Sequence, residues 1–174
     1  MFTREDQTWA HRWMRGQASA EEVAAFVGSS IGVPSDEVLV GLRYSCEQMT
    51  LARPEILTDI ADLRRAGIQA VIATDNMDTF MRWTVPAQKL TNHVDAILSS
   101  AELGMMKRDK PIGNPKSFYG RFLRDHQLDP RDCLLVDDSA ATIAFADAGG
   151  MQTLHVTNPT ALNLETATLQ SVRS

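Results

Sequence analysis

The first third of the chain places its apolar residues at helical spacing, and the remainder alternates short apolar runs with helical stretches. Ser19 followed by Glu22 is a capping-box pattern, and Val23, Phe26 and Val27 behind it repeat at i, i+3, i+4 on one helix face. That helix is expected to stop between Gly28 and Gly32. Pro34 and Ser35 open the next, in which Leu39, Leu42, Cys46 and Met49 share a stripe. Pro54 suits a first helical turn, Ile56, Ile60 and Leu63 line one side, and Arg64 and Arg65 ahead of Gly67 make a cationic, glycine-stopped end. The period then changes. The run from Ile68 to Ala73, rich in β-branched residues and closed by Thr74, Asp75 and Asn76, reads as a buried parallel strand. Similar runs occur at Ala96 to Leu98, Cys133 to Val136 and Thr153 to Val156, and Phe118, Tyr119, Phe122 and Leu123 mark an amphipathic helix. Strands alternating with helices predict an α/β fold with a Rossmann-like parallel sheet. The front helices have no strand among them, so the expected division is a helical module at 1–52 and an α/β core at 53–174.

Composition narrows the function classes. The 174 residues, 44% hydrophobic and with three tryptophans, can fill one core with an accessory part. A net charge of −5 argues against a phosphate-neutralising surface, so no nucleic-acid partner is expected. Cys46 and Cys133 stand alone, with no disulfide or metal spacing, and no run approaches the length of a membrane span. Residues 1–7 are polar and lack the form of a signal peptide. The expectation is a cytoplasmic protein with no membrane partner.

Candidate chemistry gathers where strands end, since ligands of parallel α/β sheets bind beyond the carboxyl ends of the strands. Asp137 and Asp138 close one apolar run, and adjacent carboxylates there need solvent, hydrogen bonds or a cation. They suit Mg²⁺, which commonly takes one or two protein carboxylates and fills its shell with water and substrate phosphate. The plain alternative is a helix N-cap formed by Asp138 with Ser139. Thr74 closes another run, where its hydroxyl and the following N–H groups could hold an anion, although Asp75 and Asn76 are equally ordinary turn residues. Lys107 could stabilise a phosphoryl group as a point charge, against the default of a solvated lysine. His11, His93, His126 and His155 show no ligand spacing, and Trp9 and Trp13 at i, i+4 read as packing residues.

Taken in order, these segments carry more than they do singly. A strand ending in Thr74, then Ser99-Ser100-Ala101-Glu102-Leu103-Gly104-Met105-Met106-Lys107, then Leu134-Leu135-Val136-Asp137-Asp138-Ser139 with Ala148-Gly149-Gly150 downstream, resembles the second, third and fourth motifs of the haloacid dehalogenase-like (HAD) hydrolase superfamily. The resemblance covers about residues 54–156, and the front helices are similar to the cap that one large subgroup places after its first motif. It implies that Thr74 bonds the transferred phosphoryl group, that Lys107 pairs with that group and the nucleophile, and that Asp137 with Asp138 holds Mg²⁺. Thr74, Asp75, Asn76, Lys107 and Lys110 are the implied substrate-binding set. Lys110 competes for the lysine role because Lys107 to Pro115 departs from the family's Lys-Pro-Asp-Pro, and Thr142 stands where an asparagine is common.

The family's nucleophilic aspartate, followed two residues on by a second, ends a first strand at the centre of the sheet. Residues 1–7, Met-Phe-Thr-Arg-Glu-Asp-Gln, hold neither an apolar run nor that spacing. The resemblance therefore implies a chain of Mg²⁺-dependent phosphatase lineage that is inactive as it stands, with the central strand missing. The alternative is a non-catalytic module that binds a phosphorylated small molecule or another chain. Either the strands ending at Thr74 and Asp137 pair directly, or a second copy or a strand-supplying partner fills the position; direct pairing or association is favoured over an open gap.

Overall fold

The computed structural model describes residues 4–158 together with 160 and 162, with side chains from Thr8 onward. Of the segment 1–7, residues 1–3 lie outside the described part, and Arg4 opens helix α1 (Arg4–Met14). The capping box forms as expected: Ser19 Oγ accepts from the Glu22 N–H at 3.2 Å, and the Ser19 N–H donates to Glu22 Oε2 at 2.8 Å. It starts α2 (Ala20–Ile31), which ends at Gly32 with φ 71°, a left-handed cap that glycine adopts without steric cost. The next helices are α3 (Ser35–Glu47) and α4 (Ile56–Arg65). Strand β1 covers Val71–Thr74, three residues later than the apolar run suggests. The reason is local. The Ile68 N–H reaches back to the Leu63 carbonyl at 3.0 Å, so Ile68 is consumed in closing α4 around Gly67.

After β1 come a π-helical turn (Phe80–Thr84), the single turn α5 (Val85–Ala87), strand β2 (Ala96–Ser99) and the short helix α6 (Ser100–Leu103). The remainder is α7 (Gly120–Asp125), β3 (Leu134–Asp137), α8 (Ala140–Ala148) and β4 (Gln152–His155). All four strands fall where the sequence places them to within a few residues, and helices alternate with them.

The chain forms two compact units, and they do not follow the division at residue 52. The first joins the residues up to Thr50 with Val71–Met106. Its core is Trp13, Ala18, Ala20 and Val23, with Trp9, Val27, Leu39, Leu42, Met77 and Trp83 packed around it and partly open. Trp9 stacks on Phe26 with ring centroids 5.0 Å apart. Gly16, at φ +63°, lets the α1–α2 link lie against α6: a Cβ there would sit 2.1 Å from the Ala101 carbonyl oxygen. β1 and β2 run parallel, with Val71 opposite Ala96 and Thr74 opposite Ser99.

The second unit joins Leu51–Ala70 with the residues from Lys107 onward. β3 and β4 run parallel, with Leu134 opposite Gln152 and Asp137 opposite His155, and α8 packs on both strands. Ile112 and Phe118 are its most buried large side chains.

Among the described residues β1 bonds only to β2 and β3 only to β4. Direct pairing of the strands ending at Thr74 and Asp137, one of the two outcomes the sequence favours, is therefore not present among the described residues. Each strand pairs instead with its sequence neighbour, as right-handed β–helix–β crossovers favour. Also among the described residues, no single helix is long and apolar enough to cross a membrane.

Candidate functional site

In the second unit, β3 delivers Asp137 to its carboxyl end. There Lys107 Nζ donates to Asp137 Oδ2 at 2.8 Å, in an ion pair whose side chains are 12% and 9% exposed. The other carboxylate oxygen, Oδ1, accepts from the Ser139 N–H at 2.8 Å. Ser139, rather than Asp138, caps α8, accepting from the Thr142 N–H at 3.3 Å. Asp138 is exposed, and its backbone carbonyl lies 3.1 Å from His155 Nε2. Lys110 is exposed, so of the two competing lysines the fold brings Lys107 to the carboxylate. His155 had no sequence signal of its own. Its place opposite Asp137 follows from the strand register, which a count of residues does not supply.

In the first unit, β1 ends at Thr74 and the chain turns through Asp75 and Asn76, all three half-buried. Ser100, fully buried at the start of α6, clamps this turn. Its Oγ accepts from the Asn76 N–H at 2.9 Å and donates to the Asn76 carbonyl at 3.1 Å. Asn76 Oδ1 accepts from the Met77 N–H at 2.9 Å, so that side chain is engaged in the turn itself. Ser99 Oγ, opposite Thr74, is buried without a hydrogen-bond partner. Sequence reasoning passed over Ser100; the available signal was a serine pair directly after a strand.

Four residues beyond Thr74, Asp78 ties the turn to the front helices. It accepts from Trp13 Nε1, from the Ala20 N–H at 3.3 Å and from Arg82 at 2.8 Å. Arg82 also binds Glu21 at 2.6 Å, and that bond, with backbone hydrogen bonding, holds the Glu21 carboxyl well below its usual range, at about 2. A cleft of about 390 Å³ opens beside these groups, walled by Gly16, Ser19, Glu22, Asp78, Arg82 and Glu102. The predicted site residues thus form two groups: Thr74, Asp75 and Asn76 in the first unit, and Lys107, Lys110, Asp137 and Asp138 in the second.

The donor set suits Mg²⁺ in part. Asp137 and Asp138 are carboxylates of the kind this ion takes from protein, and each oxygen of Asp137 keeps a further lone pair beyond its present bond. Among the described residues, no group of three or more His, Cys, Asp or Glu is placed to hold a metal. The remaining oxygen ligands would have to come from water, substrate or another segment.

Solved structures with the same arrangement of elements identify the fold. A HAD-family enzyme from Bacteroides thetaiotaomicron, solved as a mutant with magnesium and inorganic phosphate, superposes with a TM-score of 0.68 at 15% identity, over 88% of this chain and 79% of that one. The fold is that of the HAD hydrolases. A predicted HAD-like hydrolase from Porphyromonas gingivalis gives 0.66 at 18% identity, over 94% of this chain and 78% of the other. L-2-haloacid dehalogenase from Xanthobacter autotrophicus, with chloropropionic acid covalently bound, gives 0.61 at 18% identity, over 97% and 66%. In sequence the chain is similar to the sesquiterpene phosphatase astK of Aspergillus oryzae, 26% identical over 168 residues, 91% of this chain and 77% of that protein. No family model matches the chain.

Proposed function

We propose that the chain carries the phosphate- and metal-handling parts of a Mg²⁺-dependent phosphomonoesterase of the HAD type. The observation that carries this reading is the Lys107–Asp137 pair at a strand end, 2.8 Å apart and largely withdrawn from solvent. A compact ammonium held there can stabilise a phosphoryl group, and a carboxylate beside it has a purpose in binding a cation. Thr74 and the N–H groups after it would bond the phosphoryl oxygens, with Ser100 holding the turn in shape. Asp137 and Asp138 would hold Mg²⁺, which supplies charge neutralisation for the phosphate when bound. The fungal phosphatase relative supports phosphate-ester chemistry, and its name puts esters of apolar alcohols first among substrates to try.

Hydrolysis by this route needs a nucleophilic aspartate at a strand end, and lysine, threonine and a metal do not replace covalent catalysis. That strand would come from sequence outside the described residues or from a partner chain, with the two-stranded sheets offering open edges to receive it. A second reading, a non-catalytic binder of phosphorylated ligands, is favoured by the closure of Asp137 on Lys107 and the lack of a third acidic group nearby among the described residues. One experiment separates them. The chain is assayed for Mg²⁺-dependent turnover across a broad panel of phosphate esters, alone and with a strand ending in Asp-x-Asp supplied in cis or as a peptide. Turnover only with the strand supports the phosphatase. Methylphosphonate binding with no turnover in any form supports the binder, and neither binding nor turnover removes both.

A further inference from the structure

The chain leaves β1 at Thr74 and re-enters helix at Asp78, so the candidate phosphate turn is a short link through residues 75–77. Ser100 clamps the middle of that link through the Asn76 backbone. Its far end is held by Asp78, whose carboxylate gathers donors from α1, from α2 and from its own helical stretch. Oδ1 accepts from Trp13 Nε1, and Oδ2 accepts from the Ala20 N–H at 3.3 Å and from Arg82 at 2.8 Å.

These donors depend on Asp78. Ala20 is the first residue of α2 and fully buried, and the first N–H groups of a helix have no partner within it. Ser19 serves the Glu22 N–H, and the Ala20 N–H goes to Asp78. The Trp13 indole, 9% exposed, lies in the core of the unit, where a donor without an acceptor is costly. Arg82 adds a second tie to α2. It lies over the Trp83 ring, 4.9 Å from the centroid, and joins Glu21 at 2.6 Å as well as Asp78. The two carboxylates balance its charge, so Arg82 braces the cleft wall rather than offering it a cation.

We propose that Asp78 is a positioning residue for the phosphate turn: by taking the Trp13, Ala20 and Arg82 donors it fixes where the helix after the turn begins, and with Ser100 it holds Thr74, Asp75 and Asn76 in one conformation. The front helices act on the turn through this carboxylate. A link this short, held at its middle and at its end, has little freedom to lose when an anion binds, and pre-organisation of that kind raises affinity. Asp78→Asn keeps the volume of the side chain but turns one acceptor oxygen into an N–H donor facing other donors, which loosens the junction.

This rests on the reading of the Thr74 turn as a phosphate site, and the test keeps the two apart. Methylphosphonate with Mg²⁺ is titrated by calorimetry into the full chain, Asp78→Asn and Val23→Ala. Val23 is buried in the same core, so its truncation reports lost packing without touching the junction's hydrogen bonds. Asp78→Asn should weaken binding about tenfold, the lower end of the cost of losing a residue that orients a binding group. Val23→Ala should bind as the unaltered chain does. A second readout uses the unaltered chain alone: the Trp13 indole N–H resonance should shift as methylphosphonate saturates the protein. Unchanged affinity in Asp78→Asn, or equal weakening by the two substitutions, overturns the inference and leaves the phosphate site standing. A Trp13 resonance unmoved at saturation overturns it too, and that measurement decides the matter if Asp78→Asn does not fold. No methylphosphonate binding to the unaltered chain overturns the phosphate reading, and this inference with it.

Discussion

Replacing Lys107 with methionine tests the central pair. The substitution keeps an unbranched side chain one atom shorter and removes its charge, leaving Asp137, 9% exposed, with the Ser139 N–H at 2.8 Å but without its ammonium partner. Breaking a largely buried pair from one side costs about 3–5 kcal/mol, because the remaining charge stays desolvated. The residual exposure and the retained Ser139 bond place Lys107→Met towards the lower end, about 3 kcal/mol, a fall in Tm of roughly 6–12 °C for a chain of this size. Asp137→Asn removes the carboxylate that Lys107 Nζ meets at 2.8 Å and should also lower stability. In the double variant neither charge remains, so its loss should be smaller than the sum of the two by about 2 kcal/mol or more. Urea denaturation of the four proteins, followed by far-UV circular dichroism, measures the cycle. Additive losses within about 0.5 kcal/mol, or a Lys107→Met loss below about 1 kcal/mol, would show that the pair is solvated and refute its role as a withdrawn charge centre.

Ser100→Ala removes both bonds to the Asn76 backbone and should cost about 1–3 kcal/mol, while weakening methylphosphonate binding more than Ser100→Thr does; equal binding by all three proteins would mean the clamp is not felt at the turn. Gly16→Ala forces a Cβ to 2.1 Å from the Ala101 carbonyl at a left-handed φ, so a loss of at least about 2 kcal/mol in chemical denaturation is expected, and a neutral result would show that the α1–α2 link does not lie on α6. The Glu21–Arg82 pair sets an acid dependence. Glu21 is held at about 2 against an ordinary value of 4.5, so its contribution is fully present above pH 4.5 and is lost as pH falls from there towards 2. Both side chains are well exposed, which limits that contribution to about 0.5 kcal/mol; Arg82→Gln should flatten this part of the stability–pH curve, and an unchanged curve would remove the pair from the account.

What the sequence made legible was local. The Ser19–Glu22 box, the glycine stops at Gly32 and Gly67, and the four short strands are each written within a few neighbouring residues, and the fold bears them out. Lys107 could not be separated from Lys110, because the distinction is a contact across 30 residues to Asp137. Ser100 and His155 were passed over because their partners are fixed by strand register: Thr74 opposite Ser99 sets Ser100 on the Asn76 backbone, and Asp137 opposite His155 brings that ring to the Asp138 carbonyl. The boundary at residue 52 followed the change of hydrophobic period, whereas packing groups the front helices with β1 and β2 through Asp78 and the Trp13 core. Periodicity reports which face of an element is apolar and says nothing of which neighbour covers it.

The strand pairing links the chemistry to the stability of the sheets. Each sheet has two parallel strands of four residues, and parallel strands are ordinarily stable only when paired and covered more extensively. Among the described residues β1 and β3 each bond on one edge alone, which leaves backbone donors and acceptors along the other edge for a further strand. A parallel strand added to that edge of β1 would end level with Thr74, and one added to that edge of β3 would end level with Asp137. These are the strand ends where the candidate phosphate and metal ligands stand, so the residue closing the added strand is delivered to the chemistry by the same hydrogen bonds that complete the sheet. On the proposed phosphatase reading, a peptide ending in Asp-x-Asp that brings turnover should also protect the amides along the strand edge it pairs with.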